Sequence, residues 1–113
     1  MGRFLPADHS RGDDGTLGGY VAVHARPPAF EGTDGLSYSA ELEVDDTGDA
    51  DMPVGGYLFF VQWGRGSPTI QGHLESDILV RGRSEDAVRA ELGAMPLAEV
   101  KRILDDLIRR RWA

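Results

Sequence analysis

His73, Glu75 and Asp77 occupy alternate positions in the stretch His73-Leu74-Glu75-Ser76-Asp77. If that stretch is extended, all three side chains project from one face, because successive residues of a strand point to opposite sides. An imidazole and two carboxylates suit zinc, manganese or iron. His24 or Glu41, from other strands, would complete such a set. The acids offer a second chemistry as well. Glu41 and Glu43, taken with Glu75 and Asp77, would make a carboxylate pair for acid and base work, provided that unlike surroundings separate their pKa values. Against both stands the ordinary explanation, a solvated polar row on an amphipathic strand.

Other patterns carry less chemistry. Gly64-Arg65-Gly66-Ser67 has the glycine content of a phosphate cradle, yet it joins two extended segments and opens no helix, where phosphate sites gain their donors. A hairpin turn is expected there. Asp45, Asp46, Asp49 and Asp51 crowd one loop without the spacing or the closing glutamate of a calcium-binding EF-hand. Arg11-Gly12-Asp13 matches an adhesion tripeptide over three letters only. Walker, dinucleotide, nucleophile-elbow and zinc-protease motifs are absent, and no cofactor is expected.

These residues need a scaffold, and the hydrophobic pattern supplies one. Four strands are expected. Residues 19–26 alternate weakly, with Val21, Val23 and Ala25 on one side, and Pro27-Pro28 ends the run. Residues 36–45 alternate cleanly: Leu36, Tyr38, Ala40, Leu42 and Val44 against Ser37, Ser39, Glu41, Glu43 and Asp45. Residues 56–63 are apolar on both sides, as in strands covered on both faces. Residues 69–81 alternate again, with Ile70, Gly72, Leu74, Ile78 and Val80 inward and Gln71, His73, Glu75 and Asp77 outward.

Two helices follow. Ser84 is placed to cap the first, Glu85 and Asp86 favour its positive end, and Gly93 stops it. Pro96 opens the second, whose apolar stripe is Leu97, Val100, Ile103, Leu104, Leu107 and Ile108. Its polar side offers Lys101 to Asp105, Arg102 to Asp106 and Asp105 to Arg109. Residues 78–92, which begin Ile78-Leu79-Val80-Arg81-Gly82-Arg83-Ser84-Glu85-Asp86-Ala87, resemble the strand-to-helix segment of HicB-type antitoxin folds, where a glycine and a Ser/Thr cap lead into acids and alanine. Four strands before any helix depart from the order of that family.

Strands first and helices last mean an α+β fold: a four-stranded antiparallel meander followed by two C-terminal helices packed on one face. Residues 1–18, rich in Gly and Asp, are expected to form a flexible arm, and residues 19–113 a single domain. The chain has 113 residues, room for one core. Its 41% hydrophobic content argues against wholesale disorder.

Charge and composition narrow the function classes. A net charge of −7 repels phosphate backbones and anionic lipid, so neither nucleic acid nor membrane is expected as partner. The basic run Arg109-Arg110-Arg111 complements the negative end of a helix. Without cysteine there is no disulfide or thiolate chemistry, and a reducing cytoplasm is the expected compartment. Residues 1–8 lack the apolar core of a secretory signal, and Pro6 breaks the myristoylation pattern begun by Gly2.

One question is left to the parity of the third strand. Its outer set is either Leu58, Phe60 and Gln62, or Tyr57, Phe59, Val61 and Trp63. The second set would lay an aromatic band beside Glu41 and Glu43. A homodimer or protein-binding interface on that band, in a protein that is not an enzyme, is the expected function. The alternative is a metal-dependent enzyme or small-ligand binder at His73, Glu75 and Asp77.

Overall fold

A computed structural model describes residues 6–64 and 70–111 of the chain. Its elements run in the order α1 (Leu17–His24), β1 (Ala29–Glu31), β2 (Ser37–Asp46), β3 (Val54–Trp63), β4 (Ile70–Glu75), β5 (Val80–Gly82), α2 (Glu85–Gly93) and α3 (Leu97–Arg111). Strands β1 to β4 form an antiparallel meander, and β5 pairs with β3 beyond the end of β4. The α+β class, with α2 and α3 at the C-terminus, is as the pattern indicates.

Parity in β2 and β3 decides where the core sits. Register pairs Tyr38 with Gln62, Ala40 with Phe60 and Leu42 with Leu58. Tyr38, Ala40, Leu58 and Phe60 are buried and share one cluster with Leu92 of α2 and Val100, Leu104, Leu107 and Ile108 of α3. The even-numbered face is therefore the helix face. Gly56 lets α2 approach: a Cβ there would lie 2.6 Å from Val88 Cγ1.

The helices form for the reasons their caps suggest. Ser84 Oγ accepts from Ala87 N at 3.1 Å, and α2 ends at Gly93. In α3 the stripe docks as expected, with Ile103 partly buried and Leu97 half-buried. Lys101 pairs with Asp105 as expected. Arg102 instead takes Glu99, and Asp106 takes Arg109 and Arg110. Asp105 also accepts from Thr33 N, tying the β1–β2 turn to α3.

Residues 19–26 are not a strand. Most of them lie in α1, capped by Thr16, whose hydroxyl accepts from Gly19 N at 3.1 Å. The β-branched alternation of Val21 and Val23 yields to tertiary contact. Gly18 and Gly93 bring α1 against α2 so closely that a Cβ on Gly18 would meet Gly93 Cα at 3.2 Å. The first strand of the meander is β1, after the prolines.

The fourth strand is interrupted. Phe59 pairs with Glu75 and Gly56 with Val80, so Tyr57 and Leu58 face four residues, Ser76 to Leu79. Ser76 bridges the gap: its hydroxyl accepts from Leu58 N at 2.9 Å and donates to the Asp77 carbonyl at 2.7 Å. Ile78, expected inward, lies over Gly55 on the opposite face, with its carbons 2.9 Å from where a Cβ would stand.

From Asp8 to Thr16 the chain is joined to the rest by backbone bonds. Asp8 N donates to Val23 O, Leu97 N to Gly15 O, and Thr16 bridges Pro96. The turn expected at residues 64–68 falls largely on residues 65–69, outside the described ones, as do the side chains of Ile70 and Gln71.

Candidate interaction face of the sheet

The odd-numbered face carries the aromatic set. Tyr57, Phe59, Val61 and Trp63 of β3 all point away from the helices and are half-buried. Across the ladder stand Glu43 opposite Tyr57, Glu41 opposite Phe59 and Ser39 opposite Val61. On the other side, Glu75 is opposite Phe59 and His73 opposite Val61. Glu31 of β1 lies beyond Ser37 in the row of Trp63. The result is a central apolar strip with carboxylates on both flanks, and Arg81 stands in the row of Gly55.

The strip is braced by neighbours on its own face. Trp63 Nε1 donates to Ser39 Oγ at 3.0 Å, and Ser39 is only 8% exposed. The His73 ring stacks on Phe59, with centroids 4.9 Å apart and planes 11° from parallel. The Tyr57 hydroxyl titrates above its ordinary value, first through partial desolvation and then through the negative field of Glu75, Glu43 and Asp45. Three acids from two strands therefore act on one phenol.

The clustered core residues of α2 and α3 lie on the opposite face, and on this one Ile78 and Thr47 come over Gly55, at the end of the strip. The turn that follows β1, from Gly32 to Gly35, lies on the helix side. There a Cβ on Gly32 would collide with Ile108 of α3, 2.5 Å away.

The proposed metal-ligating row is only partly assembled. His73 Nε2 and Glu75 Oε2 are 3.6 Å apart. Asp77 does not share their face. Its side chain, 89% exposed, lies 3.9 Å from Arg110 on α3, because the strand breaks at Ser76. His24 is committed elsewhere, with Nε2 3.1 Å from Asp14 and its ring tilted against Tyr20 at 4.3 Å. Among the described residues, no three His, Asp or Glu side chains are grouped to hold a metal ion. Nor is any described helix long and apolar enough to cross a membrane.

Two features escaped the sequence reading. The Phe59–His73 stack depends on register between β3 and β4, which no local pattern encodes. A groove between α1, α2 and β2 was hidden because residues 19–26 were expected to be a strand. No protein-family model, curated protein or solved structure matches the chain.

Proposed function

We propose that this protein is a non-enzymatic interaction module that dimerises or binds a protein partner through the outer face of its sheet. The observation that carries this reading is the contiguous strip Tyr57, Phe59, Val61 and Trp63, partly exposed on the face opposite the helices. Aromatic residues in a polar rim are the composition of binding hot spots. Braced side chains lose little freedom on binding, which lowers the cost of association.

Charge favours a basic partner over a second copy. A two-fold dimer across this face would bring Glu41, Glu43 and Glu75 toward their own counterparts, and like charges in apposition destabilise. A partner with lysine or arginine around an apolar centre meets no such penalty. The absence of cysteine suits residence in the cytoplasm, which belongs to the same proposal. A metal-dependent site at His73, Glu75 and Asp77 draws no support from the placement of Asp77 beside Arg110.

Size exclusion with light scattering, at low and high salt, tests the reading. A dimer lost on Trp63→Ala supports the self-associating form. A monomer whose partner binds more slowly as salt rises, and not after Trp63→Ala, supports the basic-partner form. Association that survives Trp63→Ala and Phe59→Ala in folded protein overturns both.

A further inference from the structure

The edge of β2 is open over half its length. β1 covers only Ser37 to Ser39, and Ala40 N donates to Pro28 O at 3.0 Å. There the cover ends, because Pro27 and Pro28 have no N–H to extend the ladder. By two-residue alternation, Leu42 and Val44 direct their N–H and C=O groups to the same side as Ala40. No described residue pairs with them. The open stretch, from Glu41 to Asp46, is about 20 Å long at strand rise.

Beside this edge, on the helix side, lies a groove of about 360 Å³. Leu17 and Val21 of α1, Pro27, Leu42 and Gly93 give it a mostly apolar lining, and Val21 is 43% exposed. Arg89 also lines it, with its charge already paired to Glu85. On the other side of the same edge, Glu41, Glu43 and Asp45 succeed one another on the outer face.

We propose that the free edge of β2 and the adjoining groove take up an extended peptide segment in which basic and apolar residues alternate. Such a segment adds as a strand, its backbone meeting Leu42 and Val44. Its apolar side chains enter the groove, and its basic ones face Glu41, Glu43 and Asp45. The acids also argue against a second copy of this chain. Antiparallel pairing of two β2 edges about Val44 sets Glu43 opposite Asp45 of the other copy, a repulsive pair. This site shares Glu41 and Glu43 with the flank of the aromatic strip, and the amides of Leu42 and Val44, with the N-methylated peptide, tell the two apart.

The test uses the full chain and a blocked hexapeptide of alternating lysine and valine, followed by backbone amide shifts. Binding should perturb the amides of Leu42 and Val44 and slow their exchange. N-methylation of the valines removes the N–H groups that face β2 and keeps charge and apolar content. It should weaken binding about tenfold or more, the loss of one or two hydrogen bonds. Exchanging lysine for glutamate in the peptide should abolish binding, and Glu41→Lys with Glu43→Lys should reverse that preference. Equal affinity of the methylated peptide, no binding of the parent peptide, or shifts confined to Tyr57 and Trp63 would overturn the proposal. So would dimerisation of the chain through Leu42 and Val44.

Discussion

The ring of His73 lies flat on that of Phe59, 4.9 Å from centroid to centroid, across the β3–β4 ladder. The stack and the Trp63–Ser39 hydrogen bond hold two of the aromatic rings in place before any partner arrives. Ser39→Ala should release the indole, leaving its N–H without this acceptor. We expect a loss of ~1 kcal/mol in stability, read from urea unfolding, since a partly buried donor loses its partner.

The break in the fourth strand rests on one hydroxyl. Leu58 is fully buried, and its N–H is taken by Ser76 Oγ where a regular ladder would offer a carbonyl. Ser76→Ala should cost ~1–3 kcal/mol, the penalty for a buried donor left unpaired. Faster exchange of the Leu58 amide would be the local signature. A variant as stable as the parent would show that the bulge holds itself.

Tyr38 makes stability depend on alkaline pH. Its side chain is buried and donates to Asp34 Oδ2 at 2.7 Å, and burial, then Asp34, push its pKa up to about 12. The folded value lies above the unfolded one, so the folded state keeps the proton longer. This contribution is complete below pH ~10 and is lost as pH rises through about 12. Urea midpoints should fall over that window by an amount equivalent to about 3 kcal/mol. Tyr38→Phe, less stable at neutral pH, should show a flatter profile there.

Gly19 distinguishes a helix from a strand at residues 19–26 by the sign of one substitution. On propensity alone, alanine would stabilise either element. In α1, however, a Cβ at Gly19 would lie within 2 Å of the Asp13 carbonyl, its nearest approach being 1.8 Å. Gly19→Ala should therefore destabilise, by ~1–3 kcal/mol, as the 13–16 turn is forced aside. A stabilised variant would contradict the placement of α1.

Much of this architecture was legible in the residues, for particular reasons. Ser84 and the stripe from Leu97 to Ile108 announce α2 and α3 because capping and helical periodicity are local. The alternation from Leu36 to Asp45 sets the faces of β2 for the same reason. Strand β3 is apolar on both sides, so only its register with β2 shows that Tyr57, Phe59, Val61 and Trp63 face outward. The alternation of residues 69–81 runs unbroken through Ser76, while the bulge depends on a hydroxyl meeting a neighbouring strand. That is why Asp77 was expected beside His73 and Glu75 and is found beside Arg110. Residues 19–26 misled because Val21, Val23 and Ala25 alternate as in a strand, whereas the contact of Gly18 with Gly93 that favours α1 is seventy-odd residues distant in sequence.

The most direct test of the outer face places a photoreactive benzophenone side chain at Tyr57 and, for comparison, at exposed Asp86 on α2. Irradiation in cells of the source organism should yield a discrete cross-linked species from position 57 and not from 86. Glu41→Lys with Glu43→Lys, or Trp63→Ala, should each reduce its yield severalfold while the fold persists by circular dichroism. Equal yields from both positions, or a yield indifferent to those substitutions, would contradict the assignment of binding to the Tyr57–Trp63 strip.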